Sequence, residues 1–250
     1  MGFVIDKQGD YLPVFGEYTG GASEKVHLAS GTTFNIKSNG TADFSKLSDA
    51  ITYINDKWSE GIVTINLDED NFTETGAIWI SSNINRLNIT GKGADKTIIT
   101  NTSTDPRFIA IGNSKTRITF KDFQLVRSLG DKTTDYRGIS IEGLAESIVN
   151  NVTFVGCNDA IGATSGTFFL QGTINISNCN YGIRPVAGGA VYGIYGAKFN
   201  FNDVNNAYVV NSGGIIALYQ PVITYTSVVN KVNQTVGTAT NAGWITGVTV

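Results

Sequence analysis

Five carboxylates sit close together in the middle of the chain: Asp122, Asp131, Asp135, Glu142 and Asp159. Arg107, Arg127, Arg137 and Arg184 accompany them. Cleavage of a glycosidic bond needs two carboxyl groups about 5–9.5 Å apart, one to give a proton and one to act as nucleophile or base. Strands stacked at about 4.8 Å would bring carboxylates on neighbouring turns into that range. Asp122, Asp135, Glu142 and Asp159 are therefore the candidate catalytic residues, with Asp131 as a fifth acid of the same stretch. The competing reading is a set of solvated charges on long loops.

A second group could bind rather than react. Tyr181, Tyr192, Tyr195, Tyr208 and Tyr219 lie in a region poor in charge. Past residue 146 the only charged side chains are Asp159, Arg184, Lys198, Asp203 and Lys231, 5 of 39 in the chain. Tyrosine offers an apolar ring and a polar tip, which suits stacking on a sugar or packing at a subunit interface. Candidate ligand-binding residues are Arg127, Arg137, Tyr181, Arg184, Tyr192, Tyr195 and Tyr208. Each tyrosine taken alone reads first as a core or interface residue; it is the set that points to binding.

Other chemistries find little support. His27 is the only histidine, which leaves no Ser-His-Asp triad and no histidine-based metal site. Asp68, Glu69 and Asp70 form an acidic turn, but a hard cation wants several convergent oxygens. No metal and no cofactor are expected. Cys157 and Cys179 recur at one place in a repeat, so they should stack in the core as free thiols. Parallel side chains on adjacent turns keep Cβ atoms about 4.8 Å apart, beyond the usual disulfide range.

The elements that must position these residues are mostly strands. Of 250 residues, 41% are hydrophobic, 29 are glycine and 4 are proline, a bias toward strands with tight corners. The net charge of −3 gives no footprint for nucleic acid. No apolar run approaches membrane-spanning length, so no membrane insertion is expected, and the first residues carry no signal-peptide pattern. One helix is predicted. Phe44, Leu47, Ile51, Ile54 and Trp58 share a helical face, with Asp43 as N-cap and Gly61 at the C-terminal end.

After Gly61 one pattern returns: an apolar residue, two intervening positions, another apolar residue. The pairs are Phe120/Phe123, Phe154/Cys157, Ile176/Cys179, Phe201/Val204 and Tyr225/Val228. With Ile89 as the start, the first members lie 31, 34, 22, 25 and 24 residues apart. Hairpin strands recur at about 8–12 residues, whereas a repeat of about 20–30 residues built from short strands signals a solenoid. In 84–100, INRLNITGKGADKTIIT, Gly91 and Gly93 then mark a bend between two faces of one coil. The predicted fold is all-β: a right-handed parallel β-helix of six or seven turns with an N-terminal capping helix.

The stretch INLDEDNFTETGAIWISSNINRLNITGKGADKTIIT resembles the opening turns of the pectin-lyase-like β-helix superfamily, through Asn71-Phe72-Thr73-Glu74 and through Gly91, Gly93, Lys96 and Thr97. TFNIKSNGTADFSKLSDAITYI resembles the helix-capped entry of bacteriophage tailspikes and tail fibres in that superfamily. Its methylesterase branch pairs two aspartates on consecutive turns. Lys121-Asp122-Phe123 supplies one, but Gly156-Cys157-Asn158 lacks the other, so that activity is not expected.

The resemblance implies a phage tail protein that recognises a host surface polysaccharide. It would be a homotrimer in the virion, assembled in the bacterial cytoplasm, with other tail proteins reached through its N-terminus. The alternatives are a polysaccharide depolymerase, hydrolase or lyase, acting through the acidic set, and a non-catalytic structural or adhesin β-helix. The expected organisation is an extended lead-in over 1–33, a strand and capping helix over 34–61, the β-helix over 62–232, and a C-terminal cap or oligomerisation segment over 233–250.

Overall fold

A strand buried on one side reads apolar at every second position, and this chain repeats that reading three times per turn. The computed structural model describes residues 2–5, 11–14, 26–112, 116–128, 132, 134–234 and 244–246. It is a parallel β-solenoid of about seven turns. The first face stacks 62–66, 86–90, 117–121, 146–150, Thr167–Gln171, Ala190–Gly193, Ile215–Leu218 and Trp244–Thr246. The second stacks Asp70–Glu74, Thr97–Asn101, 124–127, 153–155, 173–177, 198–202 and Val222–Thr226. The third stacks Ile78–Ile80, Arg107–Ile111, Arg137–Ile141, Asp159–Thr164, 181–186, 206–210 and Asn230–Gln234. Outside the solenoid, Gly2–Ile5 and Tyr11–Val14 pair antiparallel.

Each face sends one apolar column into a shared core. Ile65, Ile89, Phe120, Val149 and Leu170 come from the first face, and Phe72, Ile99, Leu125, Phe154, Ile176 and Phe201 from the second. Ile78, Ile109, Ile139, Ile161, Ile183 and Tyr208 come from the third. Stacking like on like at about 4.8 Å removes both flanks of every column from water.

The corners explain the period. Gly91 bends the chain between first and second faces, as the glycine pair predicted. A Cβ there would sit 2.3 Å from the Asp122 carbonyl oxygen. Elsewhere a single left-handed residue does the work. Asp122 and Asn151 hold φ of 58° and 54° at the first corner; Gly156, Asn178, Asp203 and Ser227 hold 74°, 52°, 53° and 53° at the second. Asn, Asp and Gly tolerate that backbone best.

The repeat needs one correction. Phe120 belongs to the first face and Phe154 to the second, so the 34-residue interval joined two different corners. In register Phe120 pairs with Val149, and Phe154 pairs with Leu125. Phe123 accordingly stacks on Val152, not beside Cys157. Cys179 does pair with Val204, and both cysteines are buried free thiols. Most of 233–250 lies outside the described residues, but Trp244–Thr246 continues the first face against Ile215–Ala217.

The helix is shorter than its pattern. It spans Leu47–Asn55 and buries Leu47, Ala50, Ile51 and Ile54. Phe44 makes an isolated bridge to Ile36. Trp58 lies in the strand Lys57–Leu67, beside His27 and Asn83. Gly61 sits in that strand too, at an irregularity between Ser59 and Ile62. Asp43 is not the cap: its carboxylate accepts from Asn35 N at 2.7 Å. The fully buried Glu74, from the next turn, takes that role. Its Oε1 accepts from the backbone N–H of Leu47 and of Ser48, at 2.8 and 3.2 Å. A carboxylate also complements the positive end of the helix dipole. Glu74→Ala is expected to cost about 1–3 kcal/mol by leaving those donors unpaired in the core. A thermal melt should show a lower midpoint with the native circular dichroism spectrum retained.

Candidate functional site

The third face carries a row of charged side chains over a floor of small ones. At the start of its strands, register stacks Arg107, Arg137, Asp159 and Tyr181 in one column. Three residues further along, Ala110, Ser140, Gly162 and Arg184 stack in a second column, with Trp79 beside Ala110 at its N-terminal end. The flanking isoleucines 109, 111, 139, 141, 161 and 183 belong to the core. Alternation therefore turns the second column outward. Ala110, Ser140 and Gly162 make its floor, and Trp79 and Arg184 rise at its ends.

Six charges cross that floor. Arg107 Nε lies 2.6 Å from Glu142 Oε1, and Arg137 Nη1 lies 3.6 Å from the same oxygen. Arg137 also reaches Asp135 Oδ2 at 3.2 Å and Asp159 Oδ2 at 3.9 Å. Arg184 Nη2 donates to Asp159 Oδ2 and lies 4.0 Å from Asp135 Oδ1. Aromatic rings close both ends: Arg107 sits 4.8 Å from the Trp79 ring centroid, and Arg184 sits 4.6 Å from that of Tyr181. Between them lies a small cleft of about 50 Å³ lined by Arg137, Ser140, Asp159, Gly162, Thr164 and Arg184.

Three guanidinium groups face three carboxylates, so the row is neutral in sum. The hydrogen bond to Glu142 raises the pKa of Arg107. Asp159 is only 2% exposed. Burial pushes its carboxyl above the usual range, against the opposing pull of Arg184. Asp159 Oδ1 and Ser140 Oγ are buried without a hydrogen-bond partner among the described residues. The site thus offers charged hydrogen-bonding arms over a buried floor of small residues, with an aromatic ring at each end.

No protein-family model, curated protein or solved structure matches this chain. Fold and site rest on its own register and side chains.

Several residues expected at a site do meet here: Asp135, Glu142, Asp159, Arg137, Arg184 and Tyr181. Others do not. Asp122 stands at the corner of first and second faces, 3.4 Å from Lys121 Nζ and accepting from Asn151 Nδ2 at 3.0 Å. Arg127 is 2% exposed and turned into the fold, so it cannot be a surface ligand contact. Tyr208 is fully buried, its ring 5.0 Å from that of Phe201; it is a core residue. Tyr192 stacks on Phe169 on the first face at 5.7 Å. Tyr195 leans on Tyr219 at 5.9 Å, both exposed. The tyrosines therefore form no single surface. Asp131 lies outside the described residues.

Trp79, Ser140 and Gly162 are absent from the sequence-based candidates, and Arg107 is among them only as an accompaniment to the acids. A signal for them existed: RFIAI at 107–111 and RGISI at 137–141 share Arg-x-Ile-x-Ile, and DAIGA at 159–163 follows in the same frame. Aligned, these place Ala110, Ser140 and Gly162 in one column.

Proposed function

We propose that this chain is a polysaccharide-binding β-helix that holds its ligand along the third face, parallel to the solenoid axis. The observation that carries the reading is the in-register floor of Ala110, Ser140 and Gly162 beneath the six-charge row. From Trp79 to Arg184 is four strand steps, about 19 Å, a length that suits a linear chain of several sugar units. Hydroxyl groups can exchange with the charged arms, and sugar faces can rest on Trp79 and Tyr181.

Binding without cleavage fits better than hydrolysis, because a guanidinium engages every carboxylate in the row. One observation favours hydrolysis as a second reading: burial raises the Asp159 carboxyl, as a proton donor requires, while Asp135 and Glu142 stand nearby as possible bases. The wider setting we propose is a homotrimeric bacteriophage tail protein that recognises a host surface polysaccharide. The support for it is the resemblance of the entry and first turns, together with the scarcity of charge in the later turns.

The test is incubation of the purified protein with a panel of bacterial capsular and O-antigen polysaccharides, with polymer size followed by chromatography. We expect one polymer to co-elute intact. A polymer that shrinks favours hydrolysis, and a panel in which none is retained or shortened overturns both readings. Native mass tests the setting separately: three chains are expected, and a monomer would sink the tail assignment.

A further inference from the structure

We infer that the first face carries a second ligand site near its N-terminal end, where Arg86 and Arg117 take a singly charged oxyanion of a glycan and Trp58 carries a sugar ring beside it. This site is separate from the charged row of the third face and does not depend on it.

Two clefts adjoin here. One, of about 300 Å³, is lined by Trp58, Glu60, Asn83 and Asn85, at the corner where the chain enters the first face. That volume reaches the range of small-molecule sites, about 300–1,000 Å³. The other, of about 190 Å³, is lined by Arg86, Asn88, Arg117 and Thr119, with Ile62 beside Arg86 and Ile148 beside Thr119. Asn85 and Arg86 are consecutive, so the clefts meet along one strand. Trp58 pairs with Asn83 and Ile62 with Arg86, which leaves one extra residue on the Trp58 strand, between Ser59 and Ile62. Such a bulge bends a strand and re-aims its side chains.

Charge points to an anion. Arg86 and Arg117 stand opposite each other in register on neighbouring turns, and like charges so placed repel. Glu146, on the next turn, pairs with Arg117. Among the described residues no carboxylate lies within ion-pair distance of Arg86, so one positive charge is left over. A carboxylate or a sulfate ester brings one negative charge, and guanidinium groups hold such oxyanions through paired N–H donors. Asn88 and Thr119, outward on the same strands, add polar contacts.

Trp58 makes the ligand a glycan. Its ring is backed by that of His27, 4.2 Å away between centroids, yet the residue stays 37% exposed. An aromatic face held in this way suits stacking on a sugar. Asn85 Nδ2 donates to the Glu60 carbonyl at 2.9 Å, which leaves Asn85 Oδ1 and the Asn83 amide for hydroxyl groups. From Asn83, beside Trp58, to Arg86 is three residues, about 10 Å of strand, the reach of two linked sugar rings.

Calorimetric titration of the whole chain tests this, with hyaluronan as the carboxylate polymer, dextran sulfate as the sulfate ester and plain dextran as the uncharged control. Arg86→Gln and Trp58→Ala are titrated alongside; Arg86 is exposed, so its variant keeps the fold. We expect an anionic polymer to bind more tightly than dextran, and each variant to bind it at least about tenfold more weakly. Binding of hyaluronan alone assigns a carboxylate, of dextran sulfate alone a sulfate ester, and of both the oxyanion chemistry they share. An anionic polymer that binds wild type and Arg86→Gln alike would overturn the site and leave the third-face reading standing. Unchanged affinity in Trp58→Ala, or no binding of either anionic polymer, would overturn it as well.

Discussion

Arg127→Ala is expected to cost about 3–5 kcal/mol of folding stability, because it empties a large buried volume and takes a donor away from three acceptors. The guanidinium donates to Asn101 Oδ1 at 2.7 Å, to the Ser103 carbonyl at 3.4 Å and to the Asp105 carbonyl. Its plane lies between aromatic rings, 4.7 Å from the Tyr136 centroid and 5.6 Å from that of Phe108. Burial pulls its pKa below the ordinary value, yet arginine stays charged in proteins, so the cation is solvated by carbonyl groups in place of water. Arg127→Lys should recover little, since one ammonium cannot reproduce the planar fork. The consequence reaches the site. Segment 102–106 leads directly into Arg107, and Arg137 N donates to the Pro106 carbonyl at 2.7 Å. Loss of Arg127 therefore loosens the N-terminal end of the charged row. Chemical denaturation with hydrogen exchange on Thr97–Ile111 would read both effects; a cost below about 1 kcal/mol would show that the segment holds itself.

Arg127 also shows what could be read from the sequence. In Leu125-Val126-Arg127 the alternation points Leu125 and Arg127 to the same side, and Leu125 is core. Burial was legible, but the expectation that charge seeks water hid it. The solenoid itself was legible for a simple reason: a strand buried on one side must alternate, and a bend without a hairpin turn leaves a glycine signature such as Gly91. Register was not fully legible. Both corners bend in one left-handed residue followed by an apolar one, so Asp122-Phe123 and Gly156-Cys157 look alike in sequence and stand at different corners. The helix ends were lost to tertiary pairing. Trp58 keeps helical spacing, yet two neighbouring strands claim it. Glu74 caps the helix from 27 residues away, where no local motif points. At the site, the charges announced themselves as residue types. Tyr181 and Tyr208 could not be told apart, because register alone puts one beside Asp159 and the other under Ile183. Ser140 and Gly162 matter through what they leave empty, and smallness becomes a signal only once the turns are aligned.

Gly162→Leu should fill that empty place and abolish binding without unfolding the chain. Gly162 lies on the outward column between Ser140 and Arg184. Its backbone is ordinary strand, and an added Cβ meets nothing closer than 3.9 Å. A side chain here replaces a weak strand former, so stability should stay level or rise by up to about 1 kcal/mol. The isobutyl group would stand in the cleft between Arg137 and Arg184 and disturb the charged arms that a ligand on the third face would meet. We expect polysaccharide affinity to fall at least about 100-fold, close to 2.8 kcal/mol. Gly138, on the preceding turn of the same face, supplies the contrast. There a Cβ would sit 2.5 Å from the Ala160 carbonyl oxygen and 2.9 Å from Phe154 Cδ1, so Gly138→Leu should fail to fold. A folded Gly162→Leu that binds like the wild type would move the ligand off the third face. The exposed rings of Tyr195 and Tyr219 would then be the surface to probe next, because they offer stacking away from the charged row.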